Sequence, residues 1–367
     1  MNILSTGDYT GNITYTIAQF ELLIGLKKQG VNIFVVGRFS DEIRLRFTEN
    51  NIICIDDFPN NKIDHEYINN IKKYIHEYKI EILHVFVGKA LRNCIIATKN
   101  LSVKLITYMG STSLHWHDPS SYLTYLNPRV DKIICNSSSV YQHTRNQLFG
   151  NNKKKAVHIY KGYDPKWFIN SIPYDFSELG IHKNSKIVCL AANYLKVKGI
   201  EYYIKSTYFI NSKKNIQFIL LGDMRGNKNI PKLIDKSPYK KNIHLLGSKP
   251  NIGSYLKSSD IYIQSSNSEG FGRAITEAMC CKKPIIMTDA GGCTELIDKN
   301  SGIIVPKKNP KAIAKAIEDL LSDEKRLNQM GENAYDRIYE KFHIEKTVQE
   351  TLKLYRQQHE ELQKQNM

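Results

Sequence analysis

Short apolar segments rich in β-branched residues alternate with longer segments of helical period, and this alternation occurs in both halves of the chain. The alternation is typical of parallel sheets whose strands are connected by helices. The predicted strands of the first half are Asn2–Ser5, Asn32–Val36, Ile80–Val87, Lys104–Tyr108 and Lys132–Cys135. Those of the second half are Ile187–Ala191, Ile216–Leu221, Ile243–Leu246, Ile261–Gln264, Pro284–Met287 and Gly302–Val305. We therefore predict an α/β protein of two doubly wound domains, with a ligand-binding crevice at the carboxyl ends of their strands.

The length of 367 residues is sufficient for two domains with separate hydrophobic cores. We place the first domain at residues 1–165 and the second at residues 184–344. Residues 166–183 have mixed polarity without a clear period, which indicates a linker. At the end of the chain, residues 345–367 are polar but carry an apolar helical face, which predicts a helix that docks on another part of the protein.

The chain is strongly basic, with 52 Lys and Arg residues against 36 Asp and Glu residues and a formal net charge of +16. Such a charge suits a nucleic-acid or anionic-membrane partner, whereas the abundance of Lys, Ile and Asn offers coding bias as the alternative. Residues 183–257 hold 15 basic and 3 acidic residues, so most of the excess lies in the second half. The sequence has neither an Arg-rich arm nor a Gly/aromatic RNA-binding strand, which argues against nucleic acid.

Simple features disfavour several other classes of protein. The sequence has no run of about 18 apolar residues, so we expect no transmembrane helix. The N-terminal residues lack a basic region and run directly into a predicted strand, so we expect no signal peptide. Seven scattered cysteines without a Cys-x-x-Cys pair indicate buried thiols in a reducing environment. We therefore expect a cytoplasmic protein.

The densest functional signal is Ser268–Met279, which follows the fourth predicted strand of the second half. Gly270 and Gly272 lie on the turn before the helical pattern starts. Glycine there lets the backbone approach a ligand, and the first N–H groups of the helix can bind an anion. Glu269 before the helix and Glu277 within it suit hydroxyl groups on either side of such an anion. This arrangement favours a nucleotide sugar as the ligand; ordinary glutamates on a surface helix are the alternative.

In this motif the sequence resembles the retaining GT-B glycosyltransferases of family 4, also called glycosyl transferases group 1. Their Glu-x7-Glu signature matches Glu269 and Glu277 in spacing and surroundings. Further matching segments are Asn193–Ile200, Gly222-Asp223, Leu246-Gly247, Lys283–Ile286 and Asp289–Ile297. The resemblance is specific over about residues 187–342 and rests mainly on strand order in the first half.

The resemblance implies the GT-B fold, in which two Rossmann-like domains face an interdomain cleft. The first domain would bind the acceptor and the second the nucleotide-sugar donor. The C-terminal helix, residues 345–367, would pack back on the first domain. The implied activity is transfer of a sugar from a nucleotide sugar with retention of its anomeric configuration.

Carried over by motif, the resemblance assigns the donor diphosphate to Lys198, the donor sugar to Glu269 and the ribose hydroxyls to Glu277. The cation and the helix N-terminus would stabilise the negative charge that develops on the leaving oxygens. The full set of implied donor-binding residues is Lys196, Asn193, Gly222, Gly247, Pro250, Ile252, Gly270, Phe271, Gly272, Arg273, Ala274 and Glu277. No Asp-x-Asp occurs in the chain, so we expect neither a metal site nor a cofactor beyond the nucleotide sugar as co-substrate.

The chain departs from the family pattern in three places. Where the family usually has an arginine, at Asn193 or Leu195, Lys196 offers a second positive charge instead. The glycines of the first loop are spread rather than paired. A histidine that the family often has after the fourth predicted strand is replaced by His115 and His117 further on. The implied acceptor and cleft-loop residues are Gly7, Asp8, Gly11, Asn12, Gly110 and Ser111.

Our catalytic candidates are therefore Glu269, Lys198 and His117. Either His117 or His115 would orient the acceptor or shuttle a proton, and ordinary surface-loop histidines are the alternative. We predict a retaining, metal-independent hexosyltransferase that uses a UDP-sugar and a glycan or lipid-linked acceptor in bacterial cell-envelope polysaccharide or lipopolysaccharide synthesis. Peripheral contact with the anionic inner membrane is part of this prediction. The alternatives are a nucleotide-sugar epimerase, hydrolase or phosphorylase of the same fold, and a basic nucleic-acid-binding protein.

Overall fold

The computed structural model describes residues 1–11, 13–212, 215–225, 227 and 229–366. The chain divides into two compact units. The first consists of Met1–Gly162 together with Ile344–Met367, and the second is Tyr163–His343. Residues 166–183, for which the sequence predicts a linker, are part of the second unit and contain the 3-10 helix Phe176–Leu179.

The first unit is built on a parallel sheet. Its strands are β1 (Asn2–Tyr9), β2 (Asn32–Phe39), β3 (Ile53–Asp56), β4 (Ile82–Val85), β5 (Lys104–Met109), β6 (Lys132–Cys135) and β7 (Ala156–His158). Their order across the sheet is β3-β2-β1-β4-β5-β6-β7. The helices that connect them are α1 (Ile13–Lys28), α2 (Asp41–Glu49), α3 (His65–Glu77), α4 (Gly88–Ala97) and α5 (Ser138–Gln147), with 3-10 helices at Pro119–Leu123 and Gly150–Lys155.

Local sequence accounts for several helix boundaries in this unit. The Ser40 hydroxyl accepts a hydrogen bond from the Ile43 amide at the start of α2, and the Asp64 carboxylate accepts one from the Tyr67 amide in α3. Such side chains satisfy backbone N–H groups that have no partner within the helix. After α1 the chain turns at Gly30, whose φ of +83° favours glycine.

The C-terminal helix, Ile344–Asn366, belongs to the first unit and packs on α1, β4 and β5. Its buried face includes Ile344, Val348, Leu352 and Tyr355, as the apolar period predicts, and also several polar residues such as Thr351. Gly25 of α1 lies against Val348, and a Cβ atom at Gly25 would lie 2.5 Å from its Cγ2. The polar sequence of this helix is therefore compatible with docking, because one narrow apolar stripe is buried.

The second unit is built on another parallel sheet. Its strands are β8 (Lys186–Ala191), β9 (Ile216–Leu221), β10 (Ile243–Gly247), β11 (Ile261–Gln264), β12 (Ile285–Thr288) and β13 (Gly302–Val305). Their order is β10-β9-β8-β11-β12-β13. The helices are α6 (Ile200–Ser206), α7 (Asn229–Asp235), α8 (Ile252–Lys257), α9 (Arg273–Cys280), α10 (Pro310–Ser322) and α11 (Glu324–Arg337).

Each sheet reverses its strand order at one point. In the first unit the reversal lies between β1 and β4, and in the second between β8 and β11. In doubly wound sheets ligands bind outside the carboxyl ends of the strands at this point. The fold therefore places one crevice in each unit, next to the loops that follow these strands.

Two further sequence-based expectations concern membrane-spanning helices and the burial of the cysteine thiols. No helix within the described residues is long and apolar enough to cross a membrane. All seven cysteines are free thiols, and six of them are buried.

Candidate functional site

The loop after β11 holds Glu269 in place through its backbone. The Glu269 amide donates to the Ala290 carbonyl at 2.8 Å, and the Glu269 carbonyl accepts from the Gly292 amide at 3.0 Å. Glu269 thereby forms a parallel bridge with Gly291, in the loop after β12. The Glu269 side chain stands at the carboxyl edge of the sheet because its backbone is tied to the neighbouring loop.

Helix α9 begins at Arg273, directly after this loop, and Gly272 is its N-cap residue. Gly272 has a φ of +99°, and a Cβ atom there would lie 2.6 Å from Ile275 Cδ1. Both observations explain why glycine stands at this position. The described structure places no side-chain cap on the N-terminus of α9, so its amide groups suit an anion. Phe271 before it is buried, whereas Gly270 and Ala274 are half-buried.

Lys198 lies on the neighbouring loop, in the 3-10 turn Lys196–Lys198 between β8 and α6. Gly199 ends the turn with a φ of +59°, and a Cβ atom there would lie 2.1 Å from the Ser265 carbonyl oxygen. The Asn267 amide donates to the Val197 carbonyl at 2.7 Å, and Asn267 Nδ2 donates to the Lys196 carbonyl at 3.2 Å. The two loops are therefore tied together by backbone contacts at the point where the strand order reverses.

Lys198 and Glu269 meet at this point. Lys198 Nζ donates to Glu269 Oε2 at 2.7 Å, with the lysine side chain 25% and the glutamate side chain 14% exposed. Because both side chains are partly exposed, an incoming anion can compete with Glu269 for the Lys198 ammonium group. The structure therefore brings together the two residues that the motif treats separately.

A buried hydrogen-bonded chain leads to Glu269 from the end of β11. Tyr262 Oη donates to Gln264 Oε1 at 2.7 Å, and Gln264 Nε2 donates to Ser266 Oγ at 2.7 Å. Ser266 Oγ lies 3.4 Å and Gln264 Nε2 3.5 Å from Glu269 Oε2. Gln264 and Ser266 are missing from the sequence-based assignment. The polar run Gln-Ser-Ser-Asn at the end of an apolar strand is the signal that would have indicated them.

Glu277 lies in α9 and is only 2% exposed. Its Oε1 atom is 3.6 Å from Arg273 Nε, one helical turn earlier. The carboxylate therefore lies against the first turn of α9, paired with a half-buried arginine. Its assigned contact with ribose hydroxyls stays a prediction.

The other implied donor-binding residues lie at the carboxyl ends of β8, β9 and β10. The Asn193 side-chain oxygen accepts from the Asp223 amide at 2.9 Å, and the Gly222 amide donates to the Gly247 carbonyl at 2.8 Å. Gly222, with a φ of +122°, would place a Cβ atom 2.2 Å from the Ala192 carbonyl oxygen. Lys196 and Pro250 are exposed, and Ile252 starts α8 and is half-buried.

Asp223 follows Gly222 and is already engaged in an ion pair. Both carboxylate oxygens of Asp223 accept from Arg225, at 2.7 to 3.1 Å. The hydrogen bonds from the Arg225 side chain and amide lower the pKa of Asp223 to about 2. Asp223 is therefore ionised at neutral pH and neutralised locally.

The implied acceptor residues of the first unit belong to two regions, the end of β1 with the segment after it and the loop after β5. Gly7 and Asp8 belong to β1, which extends to Tyr9, beyond its predicted end at Ser5. Gly7 is buried and a Cβ atom there would lie 2.0 Å from the Tyr9 ring, while Gly11 is exposed and Asn12 lies outside the described residues. Asp8 pairs with Arg38. Burial raises the pKa of Asp8, but hydrogen bonds from Arg38 and Thr10 outweigh it, and the net pKa is lowered.

The loop after β5 carries the remaining acceptor and histidine candidates. Gly110 and Ser111 are exposed, and the Ser111 hydroxyl bonds to the Ser113 hydroxyl at 2.8 Å. His115 and His117 are exposed and stack on each other, with ring centroids 5.2 Å apart. The role of His117 or His115 at the acceptor stays a prediction. Among the residues that the structure describes, no group of three or more His, Cys, Asp or Glu side chains is placed to hold a metal ion.

Comparisons with known proteins agree with this arrangement. The family model "Glycosyltransferase Family 4" matches residues 19–167, and the model "Glycosyl transferases group 1" matches residues 171–337. An uncharacterised glycosyltransferase of Methanocaldococcus jannaschii is 28% identical over 85% of this chain and 91% of its own. The N-acetyl-alpha-D-glucosaminyl L-malate synthase of Bacillus anthracis is 26% identical over 75% of this chain and 74% of its own.

Solved structures extend the comparison to the fold. The crystal structure of Anabaena Alr3699/HepE in complex with UDP covers 97% of this chain and 100% of its own, with 19% identity and a TM-score of 0.78. The predicted fold of two Rossmann-like parallel-sheet domains is thereby confirmed. With the two family models matching consecutive parts of its sequence and glycosyltransferases among its relatives, the chain is a glycosyltransferase of the GT-B fold.

Proposed function

We propose that this glycosyltransferase moves a sugar from a UDP-sugar to a glycan or lipid-linked acceptor, with retention of the anomeric configuration. The observation that carries the proposal is the Lys198–Glu269 pair, 2.7 Å apart, beside the uncapped N-terminus of α9. A cation, a carboxylate and a set of backbone N–H groups are then all supplied by the segments that follow β8 and β11. A sugar diphosphate presents hydroxyls and negative charge to such groups.

The proposed chemistry follows from where charge develops. When the bond from the sugar to the diphosphate breaks, negative charge grows on the leaving oxygens. Lys198 and the amides at the start of α9 would stabilise that charge without any rearrangement of water. Glu269 would then exchange its contact with Lys198 for hydroxyls of the donor sugar. Gln264 and Ser266 would hold Glu269 in position during this exchange.

UDP is the proposed nucleotide because Anabaena Alr3699/HepE, which shares the fold, was crystallised with UDP. We further propose that the reaction needs no divalent cation, because Lys198 and the helix N-terminus supply the positive charge that a metal would otherwise supply. Addition of EDTA should then leave the transfer rate unchanged.

The proposal also includes the acceptor and the surface at which the protein meets it. A protein with 15 basic and 3 acidic residues in residues 183–257 is suited to work at an anionic surface such as the inner face of a bacterial membrane. An acceptor in cell-envelope polysaccharide synthesis, held on a lipid at that surface, fits this charge. Cosedimentation with vesicles of anionic lipid, lost when anionic lipid is omitted, is the expected result. Equal recovery from anionic and neutral vesicles would remove the membrane part of the proposal.

The experiment that tests the proposal begins with a panel of nucleotide sugars. The donor should raise the melting temperature of the protein by mass action. The same donor is then incubated with undecaprenyl-linked and soluble glycans, and NMR reports the anomeric configuration of the product. An α-linked product from an α-linked donor supports retention, whereas a β-linked product contradicts it. Consumption of the donor without an acceptor would instead indicate the epimerase or hydrolase alternative. A shift of DNA or RNA without any effect of nucleotide sugars would indicate the nucleic-acid alternative.

A further inference from the structure

The first unit contains a cavity of about 210 Å³ that lies apart from all the donor-site residues. Its walls come from α1, β4 and the residue after it, β5, β6, residues 159–162 and the C-terminal helix. The residues that matter for its chemistry are Ala18, His84, Phe86, Tyr108 and Thr351. Neither the fold nor the proposed transfer reaction gives this cavity a role.

Two buried polar atoms on the wall have no hydrogen-bond partner among the described residues. These atoms are His84 Nε2 and Thr351 Oγ1. The His84 side chain is 0% exposed and that of Thr351 is 1% exposed, so bulk water does not serve them. Buried polar groups are nearly always hydrogen-bonded in proteins, and each exception calls for an occupant or a function.

The hydrogen bond at His84 Nδ1 determines whether Nε2, the nitrogen that faces the cavity, is a donor or an acceptor. His84 Nδ1 is hydrogen-bonded to the buried hydroxyl of Tyr355 on the C-terminal helix. When Tyr355 donates this bond, both groups are satisfied and the ring proton resides on His84 Nε2. Burial lowers the pKa of His84 to about 3, so the ring is neutral at neutral pH. His84 therefore offers one neutral N–H donor, and the Thr351 hydroxyl is a second polar group without a partner. Gln19 and Thr347 on the same wall already donate hydrogen bonds, to the Tyr9 hydroxyl and the Tyr160 carbonyl.

Most of the wall is carbon. Phe86 and Tyr108 contribute aromatic rings, 5.8 Å apart at their centroids, and Ala18 and Leu22 contribute aliphatic surface from α1. A space of this size has room for roughly seven water molecules at about 30 Å³ each, and every one needs two to four polar partners. Two unpaired polar groups cannot satisfy that number. An apolar cavity of about 150 Å³, by contrast, takes up a benzene-sized molecule.

We propose that this cavity is a binding site for a small uncharged ring compound that carries one hydroxyl oxygen. The oxygen accepts a hydrogen bond from His84 Nε2 and donates one to Thr351 Oγ1, and the ring fills the space beside Phe86 and Tyr108. Because His84 lies on β4 and Thr351 on the C-terminal helix, the bound compound joins the two elements. Binding therefore strengthens the attachment of this helix to the first unit.

The test uses full-length protein with three probes: phenol, toluene and benzoate. Phenol and toluene have the same shape and differ in the hydroxyl group, so their comparison isolates the polar contact. We expect phenol to bind about fivefold to a hundredfold more tightly than toluene in calorimetric titrations, as two hydrogen bonds predict. Phenol should also slow hydrogen exchange around Thr351. Benzoate tests for an anion, because Lys161 also borders the cavity.

Two variants locate the binding. Thr351→Val keeps the shape of the side chain and removes one of the two proposed hydrogen bonds, so it should weaken phenol binding about threefold to tenfold and leave toluene binding unchanged. Ala18→Leu fills the cavity and should abolish binding of both; if it fails to fold, Thr351→Val still decides the question. Thr144→Val, a buried threonine of α5 outside the cavity wall, is the matched control and should bind phenol normally. Tighter binding of benzoate, equal binding of phenol and toluene, or no binding of either would overturn the proposal.

Discussion

Strands β4 and β11 are each the fourth strand along their unit, and each carries a buried polar side chain. The two side chains form hydrogen bonds with different parts of their units. Gln264 at the end of β11 donates to Ser266 and lies 3.5 Å from Glu269, so its contacts run toward the carboxyl edge of the sheet. His84 in β4 bonds to Tyr355 of the C-terminal helix, so its contacts run toward the inside of the first unit. Corresponding strands in two similar sheets thus direct a buried polar side chain to the carboxyl edge in one unit and to the interior in the other.

The carboxyl edges of the two sheets differ in the same way. At the reversal point of the second sheet, Lys198 and Glu269 form a partly open pair beside an uncapped helix. At that of the first sheet, Asp8 is neutralised by Arg38, and the Tyr9 ring crowds Gly7. Strand order provides a crevice in both units, and in the second the uncapped amide groups at the start of α9 lie on the same loop as the ion pair and suit an anion.

The largest expected effect concerns the charged pair of the second unit. Lys198→Ala and Glu269→Ala should each lower kcat for sugar transfer by about 10²- to 10³-fold, the usual loss when one preorganised group at a developing charge is removed. Steady-state kinetics with the accepted donor measure this loss. Lys205→Ala, on the helix that follows Lys198, is the matched control and should retain full activity.

Unchanged kcat in both Lys198→Ala and Glu269→Ala, with a normal melting temperature, would contradict the site assignment. The contrast between the two sheet edges would then have no functional meaning.

The second effect concerns the buried histidine of the first unit. Because its folded pKa of about 3 lies below the ordinary value of 6.5, the unfolded chain binds the proton more readily between these two values. Neutral His84 should therefore make its full contribution to the free energy of unfolding above pH 6.5. As the pH is lowered, the free energy of unfolding should fall by about 1.4 kcal/mol per pH unit, which amounts to a loss of about 3 kcal/mol at pH 4. Urea unfolding of wild type and His84→Gln measures this contribution.

His84→Gln should lack this part of the acid destabilisation, whereas His76→Gln, at an exposed position of α3, should retain it. Parallel stability curves for wild type and His84→Gln would show that His84 is not held neutral by burial.

A smaller effect is expected at the polar chain behind Glu269. Gln264→Leu removes the amide that links Tyr262 to Ser266, so Glu269 should lose part of its orientation. We expect about a tenfold lower kcat with little change in the KM for the donor, since the amide acts through Glu269. The double variant with Gln264→Leu and Glu269→Ala should have nearly the same kcat as Glu269→Ala alone. Fully additive losses would indicate that Gln264 acts independently.

The smallest effect is expected at the carboxyl edge of the first sheet. The Asp8–Arg38 pair is partly exposed, with side chains 31% and 54% accessible, and such pairs contribute below about 1 kcal/mol. Because the folded-state pKa of Asp8 is lowered, Asp8→Asn should reduce stability slightly at pH 7 and not at pH 2. UDP affinity should stay unchanged. A clear loss of UDP affinity in Asp8→Asn would place donor contacts in the first unit and remove the distinction between the two edges.

The sequence predicts the central strands well, because they are buried on both faces and form continuous apolar runs. It misses β3 (Ile53–Asp56) and β7 (Ala156–His158), which lie at or near a sheet edge. Residues Ile53 and Asp56 of β3 are exposed, and β7 has three residues after a run of lysines. Short, half-exposed edge strands leave too weak a hydrophobic pattern to be recognised.

The candidate site is predictable to the extent that it depends on local geometry. The turn at Gly272 and the helix start at Arg273 follow from the glycine and helical patterns. The contact between Lys198 and Glu269 does not, because the two residues are 71 positions apart and meet only through the pairing of β8 with β11. The roles of Gln264 and Ser266 also depend on hydrogen bonds that spacing does not reveal.

Hydrogen exchange of the full chain with and without UDP tests the central claim most directly. The account predicts slower exchange of amides in residues 196–199 and 269–276, at the carboxyl edge of the second sheet. Residues 7–11 of the first sheet should exchange at the same rate in both samples. Protection of residues 7–11 by UDP, with no change at 196–199 and 269–276, would contradict the assignment of the donor to the second unit.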